Sequence, residues 1–401
     1  MKKLEPTEYD YALLEDGTAE ITFYRGNDKK VTIPATLDGH AVTAIGDSAF
    51  CSCPSLTSVI IPDGVMTMGD CAFYGCSSLT SIIIPDSVTT MGDEVFSDCM
   101  ALTDLTIPDS VTTIGCWAFS NCNRLTRITI PDSVTTIGYG TFSDCRSLTS
   151  INIPDSMTTI EYWAFLNCNR LTSINLPDSV TSIGDSAFFA CHSLTNVTIP
   201  GSVTTIGSNP FPSCTALTDI KVSPNHPTLA TIDGVLFEKA TKTLICYPCA
   251  FTAKSYAIPQ GIKVIGDSAF YGCESLKSVT IPDSVTAIGN SAFSFCTALN
   301  DITIPDSVTT IGDSVFNYCK SLIIVTIPDS VTTIGDSAFR YCTSLTSINL
   351  PDSVTSIGDS AFIGCDSLNT INVSRNSYAA QYCKDNGLPY TYVDFNDWLL
   401  N

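Results

Sequence analysis

The sequence predicts an α/β repeat solenoid, mostly β with short 3-10 or helical turns, curved so that a parallel β-sheet lines its concave face. Three observations predict it. The phrase "IPDSVTTIGDSAF" (327–339) recurs with small variations through most of the chain. One phenylalanine marks each repeat every 23 residues: Phe50, Phe73, Phe96, Phe119, Phe142, Phe165, Phe188 and Phe211, then Phe270, Phe293, Phe316, Phe339 and Phe362. A cysteine follows each of these three residues later, from Cys53 to Cys214 and from Cys273 to Cys365. Repetition at a fixed period means stacked coils that bury one continuous core, because no single coil can bury its own apolar face.

Each piece of the repeat has a physical reading. In "SLTSINI" (147–153), Leu148, Ile151 and Ile153 have L-x-x-L-x-L spacing, which supplies a strand. The following Pro154 ends it, since proline cannot donate to a ladder. "VTTIG" (134–138) is a second extended piece with two apolar anchors. "DSAFxxC" begins with a capping residue and predicts a short helix or 3-10 turn. Equivalent residues of stacked coils lie about 4.8 Å apart, so leucine stacks on leucine and phenylalanine on phenylalanine.

The strand column can be followed through the irregular segments and divides the chain. A β cap occupies 1–33, a first block of coils 34–222, and a second block 259–373. Between the blocks, 223–258 is a coil whose segment 230–248 predicts a protruding β-hairpin around a lysine-rich turn. Residues 374–401 form a C-terminal cap of a short helix, ending at Asn386–Gly387, and a strand.

The unit "CxSLTSIxIPDSVTxIGDSAFxxC" resembles the BspA-like class of leucine-rich repeats over roughly residues 31–373. The insert "IDGVLF…LICYP…YAIPQG" and the terminal "NSYAAQYCKDNGLPY" also resemble that family's insert and cap. The resemblance implies a bacterial or protist surface or secreted protein that adheres to host proteins or other cells. The alternative is a cytoplasmic protein, because "MKKLEPTEYDYALLEDGT" carries no apolar run of signal-peptide length. Either the protein is made without an export signal, or the sequence begins after one. No apolar window of transmembrane length occurs, so no membrane insertion is expected.

Charge excludes another class. Lys and Arg total 19 against 40 Asp and Glu, a formal net charge of −21. Nucleic-acid binding needs basic patches that displace counterions, and this chain has none to offer. The 19 cysteines are read as a column of small buried thiols rather than a disulfide framework, because one falls at the same place in each coil.

The reactive-looking residues read as turn chemistry. Asp86, Asp109 and their equivalents follow the strand proline and suit Asx-turns. Asp47, Asp70, Asp93 and their equivalents follow the glycine and suit caps. A calcium ladder would need the glycine-rich nonapeptide, which does not occur. Only His40, His192 and His226 could serve a serine nucleophile, and no G-x-S-x-G elbow exists, so no enzyme activity and no cofactor are expected. His226, between Pro224 and Pro227, is placed in an exposed loop. Cys246 and Cys249 form one isolated C-x-x-C, the place for a thiol redox or metal site if there is one.

The outward positions of the strands carry the functional argument. Most are small, polar and uncharged, which suits a docking face with hydrogen-bonding side chains. Arg127, Asp219, Lys221 and Ile324 break the monotony, with Asn152, Asn175, Asp104, Asp301 and Asn349 along the same rows. The expected function is a non-catalytic interaction or adhesion module that binds a protein partner there. By the resemblance, that partner is a host, cell-surface or extracellular-matrix protein. The alternative is a passive spacer whose length is its function.

Overall fold

A computed structural model describes residues 8–103 and 105–393. Asp104 and the outer parts of the two expected caps, 1–7 and 394–401, lie outside the described residues. The chain forms two compact units, Met1–Phe211 and Pro212–Asn401.

Each unit is a stack of β-coils with two strands per coil. In the N-terminal unit the first strands pair parallel and in register, Val31 on Val59 on Ile82, and Ile128 on Ile151. The second strands do the same, from Ile45 through Met68 and Met91 to Ile114, and from Ile137 to Ile206. In the C-terminal unit one row runs Tyr256, Val279, Ile302, Val325 and another Leu244, Ile265, Ile288, Ile311, Ile334, Ile357. Every apolar residue named in these rows faces the core because strand side chains alternate.

The phenylalanine column is the spine of both cores. Ring centroids of successive phenylalanines lie 4.9–5.8 Å apart in near-parallel stacks, and the rings are buried. At the N-terminal end Tyr24 stacks on Phe50 at 5.0 Å and closes the column. Burial pushes the Tyr9 hydroxyl, beside Tyr24, up to about 12.

The "DSAFxxC" segments correct the expectation of helical or 3-10 turns. Among the described residues the only helix is Tyr378–Asp385, capped by Ser377, whose side chain accepts from Ala380 N–H. The serine after the aspartate takes a positive φ, 58° at Ser48 and 55° at Ser268, which a right-handed helix cannot include. Alternate N–H groups then reach the next coil. Ser48 donates to Asp70 carbonyl, Phe50 to Ala72 and Ser52 to Tyr74, while Ala49 and Cys51 close local turns. The segment is a chain of turns with a ladder to its neighbour, not a helix.

The two aspartate readings also change. Asp47 Oδ1 does not cap its own turn; it accepts from Asp70 N–H at 2.9 Å, one coil away. Asp70 does the same for Asp93, Asp313 for Asp336, and Asp336 for Asp359. After the proline the bridging side chain is serine: Ser87 Oγ donates to Val65 carbonyl at 2.6 Å, while Val88 N–H closes the turn on Pro85 carbonyl.

The expected hairpin around the lysine-rich turn forms, Val235–Glu238 antiparallel to Thr243–Cys246, and it is joined to the sheet of the following coils. Leu229–Ile232, Val235–Glu238 and Thr243–Cys246 form an antiparallel meander, and Thr243–Cys246 pairs parallel with Val264–Ile265. Asp233 and Gly234, at φ 49° and 79°, make the two-residue turn that matches strand twist. Val235, Leu236 and Phe237 are buried. His226 is buried too, against the expectation of an exposed loop, and its Nδ1 accepts from Thr228 and Leu229 N–H at the start of the meander. A ring nitrogen that satisfies main-chain donors explains a histidine inside.

Candidate interaction surface

The expected site residues fall in the two units and are taken unit by unit. In the N-terminal unit, Arg127–Thr129 pairs with Ser150–Asn152, which puts Arg127 beside Ser150 and Thr129 beside Asn152, all four exposed. Asn175 is exposed on the following coil, beside the bridge Ile174–Val197.

In the C-terminal unit, Asp301 sits in register between Ser278 and Ile324. Ile324 is 57% exposed and its neighbour Ile323 47%. Asn349 lies beside Asn372, whose amide donates to it at 2.6 Å, and Thr391 continues the row. Asp219 and Lys221 face each other across 3.7 Å on one strand, so these two charges partly answer one another. An exposed pair of this kind contributes little to stability.

One feature of the rows escaped the sequence reading. Ile60 lies directly beside Ile83, and the two are 41% and 60% exposed. The available signal was the uninterrupted apolar runs Val59–Ile61 and Ile82–Ile84, which break the in-out alternation of the other strands.

The C-x-x-C does not bring its own sulfurs together. Cys249 is disulfide-bonded to Cys273, and Cys246 is buried. Stacking of adjacent coils brings Cys249 and Cys273 to a Cα separation of 4.5 Å, so one member of the expected thiol column is oxidised. Elsewhere in the column the sulfurs donate back across the coil: Cys99 to Phe73 carbonyl, Cys145 to Phe119 and Cys296 to Phe270. Burial pushes the thiols of Cys99, Cys145 and Cys296 up to about 12. Thiolate chemistry is suppressed there, because the thiolate is the nucleophile. Among the described residues no group of three His, Cys, Asp or Glu could hold a metal ion, and no helix is long and apolar enough to cross a membrane.

Residues 19–149, 135–253 and 263–384 match the BspA type leucine rich repeat region. The chain belongs to the BspA-type leucine-rich repeat family. It is similar to a leucine rich cell surface protein of Faecalibacterium prausnitzii at 37% identity, over 98% of this chain and 96% of that one, with a TM-score of 0.74. It shares its fold with the pneumococcal vaccine antigen PcpA at 21% identity, over 96% of each chain, with a TM-score of 0.58. No curated protein matches the chain. In this BspA-type chain the outward strand positions vary from coil to coil, from Arg127 and Lys221 to Asp301 and Ile324.

Proposed function

We propose that this chain is a cell-surface adhesion module that binds a protein partner on the outward strand rows. The observation that carries the reading is apolar surface in lateral register on a row that is otherwise small and polar: exposed Ile60 beside exposed Ile83. Single exposed hydrophobic residues are ordinary, but side chains adjacent on neighbouring strands make a contiguous patch that a partner can dry. Arg127, Asn152 and Asn175 supply polar specificity in the N-terminal unit; Asp219, Lys221, Asp301 and Asn349 do so around Ile324 in the C-terminal unit. The similarity to a cell surface protein supports placement outside the cell. A passive spacer is the competing reading, and the uniform 23-residue register favours it, since removing one coil leaves every ladder able to re-form.

The test is binding to immobilised extracellular-matrix and host-cell surface proteins by surface plasmon resonance. Ile83→Asp, Ile324→Asp, Arg127→Glu and Lys221→Glu should each weaken capture, the isoleucine changes by about tenfold or more. Unchanged binding in all four variants would overturn the reading. Full function after deletion of a whole coil would favour the spacer.

A further inference from the structure

The G-D-S turn is rewritten in three successive coils of the N-terminal unit. Gly115-Cys116-Trp117, Gly138-Tyr139-Gly140 and Glu161-Tyr162-Trp163 stand in its place. The carboxylate relay stops there. Asp93 Oδ1 accepts from Cys116 N–H, but Cys116 and Tyr139 have no carboxylate to pass on, and the relay resumes only where Asp185 accepts from Ser208 N–H. An aromatic cluster stands in the gap. The Trp117 ring lies 5.0 Å from Tyr139 and 6.3 Å from Trp163; Tyr139 lies 5.2 Å from Tyr162, which stacks on Trp163 at 4.4 Å.

The cluster is not a by-product of the core. All four rings are partly exposed and none belongs to the phenylalanine column. Trp117 and Trp163 hold φ of 56° and 57° at a position that carries Cys71 and Glu94 in the two preceding coils and serine in most others, and a bulky side chain is an outlier in that region. The intervening coil has Gly140 at the same position. A β-carbon on Gly140 would lie 2.3–2.5 Å from three Trp117 ring atoms, so the indole lies across the glycine and needs it. Two tryptophans in the left-handed region and a glycine that accommodates one of them occur together, outside the phenylalanine column.

Beside the cluster, on the row of second strands, opens a cavity of about 500 Å³ whose lining includes Tyr139, Cys116, Thr113, Thr136 and the carboxylates of Asp93 and Glu161. That is the size of a ligand pocket. Its lining contains no basic residue. From 31 to 211 the sequence has no lysine and four arginines against sixteen Asp and Glu, so the field around the cavity favours a cation.

We propose that this cavity receives a lysine or arginine side chain from a basic segment of a partner protein. The cationic head lies against the Tyr139 ring, in the field of the Asp93 and Glu161 carboxylates at the two ends of the lining. Cations bind aromatic faces through the ring quadrupole, and carboxylates lining the same cavity add attraction that salt screens. This site lies apart from the outward strand rows and does not depend on their role.

The test uses the full chain carrying Trp398→Phe, which leaves Trp117 and Trp163 as its only indoles. A blocked Gly-Gly-Lys-Gly-Gly peptide is titrated while indole emission is read, with the same peptide bearing acetyl-lysine and a neutral maltooligosaccharide as comparators. The lysine peptide should give a saturable change, about tenfold weaker with acetyl-lysine and weaker again as salt is raised toward about 1 M. Asp93→Asn with Glu161→Gln should weaken it by about tenfold with an unaltered far-ultraviolet spectrum and melting curve. The amide preserves the relay, as Asn290 does when its Oδ1 accepts from Asp313 N–H at 2.9 Å. Tyr139→Leu should weaken binding similarly. Equal binding of the two peptides, no saturable response to the lysine peptide, or saturation by the oligosaccharide alone would overturn the proposal.

Discussion

Two residues beyond the core phenylalanine, the N-terminal and C-terminal units make opposite choices on the same backbone. In four successive coils of the N-terminal unit the position holds Asp98, Asn121, Asp144 and Asn167, with φ of 61°, 59°, 57° and 58°, while Ser52, Gly75 and Ala190 hold it in other coils. In three successive coils of the C-terminal unit it holds Phe295, Tyr318 and Tyr341, with φ of 61°, 60° and 57°, between coils that carry Gly272 and Gly364. The main chain is bonded alike, Asp98 N–H to Ser120 carbonyl at 2.9 Å and Tyr318 N–H to Arg340 carbonyl at 2.8 Å. The side chains are not. Asn121 donates to Asp98 and Asn167 to Asp144, one amide for every two coils. Phe295 and Tyr318 stack at 4.6 Å, Tyr318 and Tyr341 lie 4.5 Å apart, and Arg340 sits 4.9 Å over the Tyr341 ring. The coil dictates the left-handed conformation; the sequence can meet it with residues that tolerate it or offset it by stacking.

The comparison assumes that both ladders rest on equivalent cores, and alkaline titration tests that assumption with the largest expected effect. Burial raises Cys99 and Cys145 in one unit and Cys296 in the other from 9.0 to about 12. A raised folded-state pKa gives stability that is whole below about pH 9, declines as pH rises, and is lost by about pH 12. Each thiol contributes up to about 4 kcal/mol across that window, at roughly 1.4 kcal/mol per pH unit. Urea midpoints should therefore fall steeply between pH 9 and 12 for both units. A flat profile would show that the thiols are not sealed in the core.

Next in size is the phenylalanine column itself. Phe142→Ala and Phe316→Ala each remove a fully buried ring from a continuous stack. Each should cost about 3–5 kcal/mol through lost burial and the cavity left behind. Similar losses in urea denaturation would confirm that the units differ only at their surfaces. An unchanged midpoint in either would break the comparison at its base.

The column was legible because every coil contributes the same residue, so period alone identifies what stacks. The same logic placed Arg127, Asp301 and Ile324 on outward strand positions, since alternation fixes the face. What was not legible is any bond whose partner lies one coil away. Asp47 reads as a local cap because its nearest donors in sequence are its own, yet it serves Asp70. Cys249 reads with Cys246, two residues between them, yet its partner is Cys273 in the next coil. His226 looks exposed between prolines because nothing local announces that Thr228 and Leu229 will turn back onto its ring. Trp117 and Trp163 were countable but silent, because their meaning depends on a glycine 23 residues after the first tryptophan.

The smallest effect is the most discriminating, and it comes from exchanging the two ladders. Tyr318→Asn removes two ring contacts, each worth about 0.5–1.5 kcal/mol, but relieves an aromatic residue of a left-handed backbone. The two nearly offset, so its cost should stay within about 1 kcal/mol. Asn121→Tyr imposes the same backbone on an aromatic with Asp98 and Asp144 at the equivalent positions of the coils on either side, and loses the amide bond to Asp98. It gains no stacking and should cost about 1–2 kcal/mol. Urea denaturation of the two variants should therefore show Asn121→Tyr as the more destabilising. Equal costs would mean that stacking does not compensate for backbone strain in the C-terminal unit. If Asn121→Tyr costs nothing, the left-handed position carries no strain, and the tolerance of Asp98, Asn121, Asp144 and Asn167 for that conformation does not explain why they occupy it.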